Sequence, residues 1–177
     1  MGKKRNVVLF IASSLDGYIA TKEESLEWLY HVEGEGDNGY SEFYNTVDTI
    51  LMGKRTYNWV MNQDLKEFPY KNKACYVFSR TFAENTEDVK FVHDDVLNFV
   101  NQIKSENGKN IWLVGGGELL NSLMKEKLVD ELIITVAPIL LGQGIPLFKE
   151  MDKQLNLSLK EVRKLNQFVE LHYEVKN

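Results

Sequence analysis

Residues 111–125 read Ile-Trp-Leu-Val-Gly-Gly-Gly-Glu-Leu-Leu-Asn-Ser-Leu-Met-Lys. Four apolar residues, rich in β-formers, predict a buried strand over Ile111–Val114. Three glycines follow with no polar linker, and Glu118–Lys125 then repeats apolar residues at helical spacing. Glycine lets backbone N–H groups approach an anion closely, and a helix N-terminus adds a favourable dipole. Gly115, Gly116 and Gly117 therefore form either a phosphate cradle or a tight strand-to-helix turn. A dinucleotide fingerprint of the G-x-G-x-x-G type fits poorly, because its third glycine would fall at Leu120.

The same design recurs upstream. Thr49–Met52 predicts a strand, and Gly53-Lys54-Arg55-Thr56 carries it into a helix. Ala74–Phe78 predicts another strand, and Ser79-Arg80 ends it. Arginine suits bidentate phosphate binding. A single such cluster is an ordinary solvated strand end. Three of them at C-terminal strand ends point to a polyphosphate ligand, since open α/β sheets bind ligands along that edge.

The remaining chain supports an alternating architecture. Val7–Ser13 and Glu131–Val136 predict buried strands, and Asn38–Val47 a short helix. Asp94 or Asp95 caps a helix with Val96, Phe99, Val100 and Ile103 on its apolar face, and Gly108 stops it. Leu26–Leu29 reads equally well as helix or strand. Leu155–Leu159 and Phe168–Val175 alternate as a hairpin does, with a break near Val169. Strands separated by helices imply a parallel sheet, with antiparallel strands at one edge. The expected fold is a single α/β domain over residues 1–177: three layers, α/β/α, around a mixed, mostly parallel sheet closed by a C-terminal β-hairpin.

Composition narrows the function. The 177 residues carry 21 Lys or Arg against 26 Asp or Glu, a formal net charge of −5. Nucleic-acid and anionic-membrane partners normally require a basic excess, so neither is expected. Leu132–Phe148 is uncharged over 17 residues. Its glycines and prolines, and its length short of the ~20 residues a span needs, exclude a membrane helix. Cys75 is the only cysteine, so no internal disulfide forms; a reducing, cytoplasmic setting is expected. His31, His93 and His172 stand apart without ligand spacing, so no metal site is expected.

Five motifs occur in one order: Ser14-Leu15-Asp16-Gly17-Tyr18-Ile19-Ala20; Asp48 through Tyr57; Val77-Phe78-Ser79-Arg80; Ile111 through Leu119; and Val129-Asp130-Glu131-Leu132 with Ala137-Pro138 and Gly142-Gln143-Gly144. Together they resemble the dihydrofolate reductase superfamily, in its branch related to the riboflavin biosynthesis reductase (RibD C-terminal) domain. The expected protein is a stand-alone, bacterial-type member, because no deaminase half precedes the motifs. The resemblance implies a reductase using NADPH on a small heteroaromatic substrate, pyrimidine- or pteridine-like. It is similar to the 5-amino-6-(5-phosphoribosylamino)uracil reductases; dihydrofolate reductase activity and a non-catalytic nucleotide-binding role are the alternatives.

Roles carry over by position. Ala12 and Ile19 match backbone positions that hold the nicotinamide carboxamide. Gly53, Lys54, Arg55 and Thr56 match a phosphate-holding helix start. Ser79 and Arg80 match the 2′-phosphate site. Val114 through Glu118 match the pyrophosphate turn, where the family often has a cis Gly-Gly bond. Asp16 and Thr135 match substrate-pocket positions. Asp37, 16 residues before Gly53, matches the catalytic carboxylate of dihydrofolate reductases, or is a plain helix cap in a glycine-rich loop. The lysine and glutamate frequent in riboflavin-type reductases are replaced by Phe10 and Gly115, and the usual Trp-Pro segment is missing. The resemblance also implies a homodimer. Leu140, Leu141, Ile145, Leu147 and Phe148 either form its interface or fold back as core.

Overall fold

The computed structural model describes residues 4–176. Its main sheet has eight strands, β1 (Val7–Ser14), β3 (Val47–Gly53), β4 (Ala74–Phe78), β5 (Lys90–Val92), β6 (Asn110–Gly115), β7 (Glu131–Ala137), β9 (Leu157–Leu165) and β10 (Phe168–Val175). Their order is β5-β4-β3-β6-β1-β7-β10-β9. The pairs from β5 to β7 are all parallel, and β10 runs antiparallel to both β7 and β9. β6 is interior, with Leu113 opposite Leu9 on one side and Leu51 on the other. Its unbroken apolar run is what a strand covered on both faces requires.

Two helical layers complete the α/β/α arrangement. α4 (Val96–Ser105) and α5 (Gly117–Lys125) cover one face. There Val100, Ile103, Leu120 and Leu123 pack on Val7, Leu9, Leu51 and Leu113. α2 (Tyr40–Tyr44) and α3 (Lys54–Met61) cover the other. Trp112 organises that layer. Its ring meets Phe43 at 5.4 Å and Tyr70 at 5.5 Å, and its Nε1 donates to the Phe10 carbonyl at 3.1 Å. Cys75 is buried in the same layer, and desolvation pushes its thiol up to about 12, so it acts as a small apolar residue.

Short elements depart from the sequence reading. α1 (Glu27–Tyr30) is one helical turn, which settles Leu26–Leu29 as helix. The expected helix over Asn38–Val47 contracts to five residues, since Gly39 enters it with a φ of +78°. β2 (Tyr18–Ala20) and β8 (Ile145–Pro146) form a separate antiparallel ladder. The break near Val169 is a change of face: Phe168 points to the α2 side, while Leu171 and Val175 pair onto the α5 side. Among the described residues no helix is long and apolar enough to cross a membrane. Nor do three His, Cys, Asp or Glu side chains gather as a metal site.

The N-terminal ends of the strands are held by buried ionic contacts, away from the glycine loops. Buried Arg5 reaches Thr49 Oγ1 at 2.6 Å, the Lys109 carbonyl at 2.7 Å, and the Asp48 carboxylate. Lys104 donates to Asp130 at 2.6 Å. Glu131 takes hydrogen bonds from Asn6 at 2.7 Å and pairs with His172. Burial alone would raise its carboxyl, but the bonds from His172 and Asn6 outweigh it and leave the group below its ordinary value. A carboxyl lowered on folding stabilises the protein above its unfolded value, and that contribution fades as pH falls through the folded one. Glu131→Gln should therefore cost about 1–3 kcal/mol at neutral pH. The deficit should shrink in urea melts run below the carboxylate range; a deficit independent of pH would show that ionisation of Glu131 is not its source.

Candidate active site

Two glycine turns meet at the C-terminal edge of the sheet. β3 and β6 are paired neighbours, and each ends in glycine and feeds a helix, α3 from Gly53 and α5 from Gly116. Gly116 has a φ of +109°, a conformation that side-chain-bearing residues rarely adopt. A Cβ on it would lie 3.3 Å from Gly53 N and 3.4 Å from Gly53 Cα. The turns are thus packed backbone to backbone. Among the described residues there is no cis peptide bond, so the Gly-Gly bond frequent in the family as cis is trans here. Positive φ at Gly116, rather than isomerisation, makes the turn.

These turns line a cavity of about 1000 Å³. Ala12, Ile19, Gly53, Lys54, Arg55 and Thr56 border it, as do Ser79 and Arg80 and the whole segment Val114 through Glu118. The chain positions that contribute are spread over more than a hundred residues, and parallel pairing brings their strand ends to one edge. Lys54 Nζ donates to Thr81 Oγ1 at 3.0 Å, beside Ser79, whose Oγ donates to the Thr81 carbonyl at 2.8 Å. Arg80 forms no salt bridge among the described residues. Arg55 turns elsewhere: its Nε donates to Glu24 at 2.6 Å. The cavity-lining cations beside the Ser79 loop that form no salt bridge among the described residues are therefore Lys54 and Arg80.

Three sequence-derived candidates stand outside the cavity lining. Asp37 is exposed and accepts from Ser41 N at 2.9 Å, as a cap of α2. The Ser41 side chain and backbone hold its carboxyl below the ordinary value. An exposed, ionised cap is not placed to donate a proton in the cavity, and the glycines around it turn it outward. Asp16 fastens loops instead: it accepts from Ser14 Oγ at 2.6 Å, Gly142 N at 2.7 Å and Leu141 N at 3.1 Å. The Ser14 hydroxyl is the main cause of its lowered pKa. Thr135 is buried in β7 directly opposite Ala12, one strand in from the cavity wall.

Of Trp28, Trp59 and Trp112, which by type could line a flat ring pocket but more commonly pack as core, Trp59 borders the cavity. Trp59, Tyr70, Leu26 and Leu29 give the cavity its apolar walls. Their spacing reads as core, and only the fold turns them inward. His93 follows β5 and places Nδ1 3.1 Å from the Ser79 carbonyl, which ties the 2′-phosphate candidate loop to the next strand. Lys149 pairs with Glu118 over the α5 start. Burial raises the Tyr70 phenol, so it stays protonated at neutral pH, where its hydroxyl can donate or accept a hydrogen bond.

The sheet order, the doubled glycine turns and the terminal antiparallel strands define a dihydrofolate reductase-like fold. The chain belongs to the RibD C-terminal domain family, whose model matches residues 5–171. YwjB of Bacillus subtilis, described as uncharacterized, is 48% identical over 171 residues, covering 96% of this chain and 98% of its own. A candidate riboflavin biosynthesis protein from Shewanella sp. PV-4 is 32% identical, with a TM-score of 0.87 over 97% of this chain and 99% of that one. A diaminohydroxyphosphoribosylaminopyrimidine deaminase/5-amino-6-(5-phosphoribosylamino)uracil reductase from Thermotoga maritima gives a TM-score of 0.72 at 16% identity, over 98% of this chain and 57% of that one. At that identity it shares the fold.

Proposed function

We propose that the protein is an NADPH-dependent reductase of a small heteroaromatic ring, pyrimidine- or pteridine-like. The observation that carries this reading is the convergence of two glycine-started helices and the Ser79–Arg80 loop on one cavity. The residues fit the cofactor. At Gly116 an added Cβ would press on the Gly53 backbone, while at Gly117 it would meet only the flexible Lys149 side chain, with Cε at 3.1 Å. Backbone N–H groups of Gly116 and Gly117 at the α5 start, with Thr56 of α3, would hold the pyrophosphate. Lys54, Ser79 and Arg80 would hold the 2′-phosphate. Backbone groups of Ala12 and Ile19 would fix the nicotinamide end. NADPH supplies hydride when bound; the protein supplies orientation and a cavity walled by Trp59, Leu26 and Leu29. Family membership and the uracil reductase named among the fold neighbours support this reading. Asp37 turned to solvent argues against a dihydrofolate reductase mechanism built on that carboxylate.

Titration with NADPH should quench the tryptophan fluorescence to which Trp59 in the cavity wall contributes. Oxidation of NADPH should then follow addition of an aminopyrimidine or dihydrofolate. Binding without turnover on any ring would favour a nucleotide-binding protein that has lost the reaction, and no binding would end the reading.

The same proposal includes a homodimer. Ile145–Pro146 pairs with β2 and Leu147 is buried, so that part of the apolar segment folds back on the domain. Leu140 and Phe148 are exposed, and Leu159, Val162 and Val169 lie exposed on one face of β9 and β10. β9 is also an open edge, which proteins usually cover or pair. Light scattering at micromolar concentration should give twice the chain mass, and Val162→Asp should halve it. A monomeric wild type would remove the dimer from the proposal.

A further inference from the structure

The cations that border the cavity are not spread evenly. Lys54 leans on Thr81, and Arg80 and His93 flank Ser79, so these three gather at the loop assigned to the 2′-phosphate. Lys149 stands over the α5 start, paired with Glu118. The wall between α1 and the body of α3 is different. Leu26, Leu29, Trp59, Val60 and Tyr70 line it. Among the described residues the one cation on this wall is Arg55, which lies four residues before Trp59 and therefore on the same face of α3.

Arg55 is already engaged. Its Nε donates to Glu24 Oε1 at 2.6 Å, and its Nη2 reaches the same oxygen at 2.5 Å. The Arg55 side chain is 81% exposed, and an exposed pair of this kind contributes little to stability. Glu24 is nevertheless held for it at a conformational cost. Its φ is +63°, a left-handed conformation that glycine or asparagine adopts more cheaply. Two backbone bonds fix it there: its N–H donates to the Thr21 carbonyl at 3.0 Å, and its carbonyl accepts from Trp59 Nε1 at 3.1 Å. Thus α3 grips Glu24 twice, by its backbone through Trp59 and by its carboxylate through Arg55. Glu24 itself borders the cavity. A strained residue that carries a carboxylate to an exposed arginine beside a cavity calls for a reason other than stability.

We propose that the substrate is an uncharged ring without a phosphate or carboxylate tail, and that Glu24 sets this specificity by neutralising Arg55. The proposal rests on the reductase reading above and narrows its substrate class. An anion set against apolar walls loses hydration that only a free cation or hydrogen-bond donor replaces. With Arg55 taken by Glu24, a charged tail on this side meets a carboxylate as well as a guanidinium, and like charges brought together disfavour the wrong ligand. The Thermotoga maritima protein is named for a uracil that carries a phosphoribosyl group. This chain shares that fold, but its wall beside Trp59 accommodates the ring alone.

The test uses the full chain saturated with NADP+, which binds without turnover, and isothermal titration of two ring pairs. One pair is 5-amino-6-(5-phosphoribosylamino)uracil and its dephosphorylated form. The other is dihydrofolate and 6-methyl-7,8-dihydropterin, which lacks the aminobenzoyl-glutamate tail. In whichever pair binds, wild type should hold the tail-free ring at least about tenfold tighter than its tailed partner. Glu24→Gln removes the charge at nearly constant shape and frees Arg55, so that ratio should fall about tenfold or more. Should this variant fold poorly, Glu24→Asn also removes the charge and tolerates the positive φ, and it should shift the ratio in the same direction. Wild type that binds a tailed ring as tightly as its tail-free partner, or more tightly, would overturn the proposal. A ratio that neither variant shifts would overturn the role of Glu24. A chain that binds NADP+ but none of these rings would overturn the proposal and leave the cofactor reading intact, whereas failure to bind NADP+ would remove the reading on which it rests.

Discussion

Gly116→Ala should abolish measurable NADPH binding and destabilise the fold by about 1–3 kcal/mol, the cost of forcing a side chain into a left-handed φ. Space and backbone act together at this residue. Its φ is +109°, and the added Cβ would press on Gly53 N and Cα at 3.3 and 3.4 Å. Those atoms are backbone, held by the pairing of β3 with both β4 and β6. No side-chain rotation relieves the contact, so the two glycine turns must separate. Their separation moves the N-termini of α3 and α5 apart, and with them the N–H groups assigned to the pyrophosphate. Gly115→Ala is the matched control. Its φ is not positive, and its Cβ would meet only the Thr56 side chain, Oγ1 at 3.7 Å and Cγ2 at 3.9 Å, both ordinary contacts. Thermal melts should show a small change for Gly115→Ala and a large one for Gly116→Ala. Equal losses would mean that glycine at 116 is not required by the turn-to-turn contact.

That pair of glycines also shows what a sequence discloses. The triple glycine at 115–117 flags a strand-to-helix turn, because only glycine combines close approach with free φ. The contact between Gly116 and Gly53, residues far apart in the chain, follows from β3 pairing with β6, which no local pattern encodes. The central place of β6 was legible because a strand covered on both faces must be apolar throughout. β2, β5 and β8 were not, since two or three residues carry no period to detect. Asp37 was placed by counting back from Gly53, yet the count is blind to Gly36 and Gly39. Both adopt positive φ and swing the loop so that the carboxylate caps α2. The burial of Glu170 was hidden by the opposite effect. This residue alternates with Leu171 and Tyr173 as a solvent-facing residue does. In the fold its face is closed over by Gly39 and Arg163.

Arg80→Ala should weaken NADPH by about ten- to a hundredfold, the worth of a charged hydrogen-bonded contact of about 1.5–3 kcal/mol, and leave NADH nearly unchanged. The selectivity follows from which cations are free to act. Lys54, Arg55 and Arg80 all border the cavity. Arg55 is committed to Glu24 through both Nε and Nη2. Lys54 leans on Thr81, next to the loop that carries Arg80. Lys149, across the cavity, is taken up by Glu118. Arg80, like Lys54, forms no ion pair among the described residues, and it follows Ser79, whose hydroxyl is fixed by the Thr81 carbonyl. A dianionic group at this loop would meet the Arg80 guanidinium and the Lys54 ammonium together. Without Arg80, Lys54 remains, so affinity should fall rather than vanish. Removing Arg55 should cost much less, and that cost should be similar for both cofactors, since its partner is a protein carboxylate. Parallel titrations of the two variants with NADPH and NADH separate these outcomes. If Arg80→Ala weakened both cofactors equally, Arg80 would be bracing the loop after β4 and the 2′-phosphate would have to be read elsewhere.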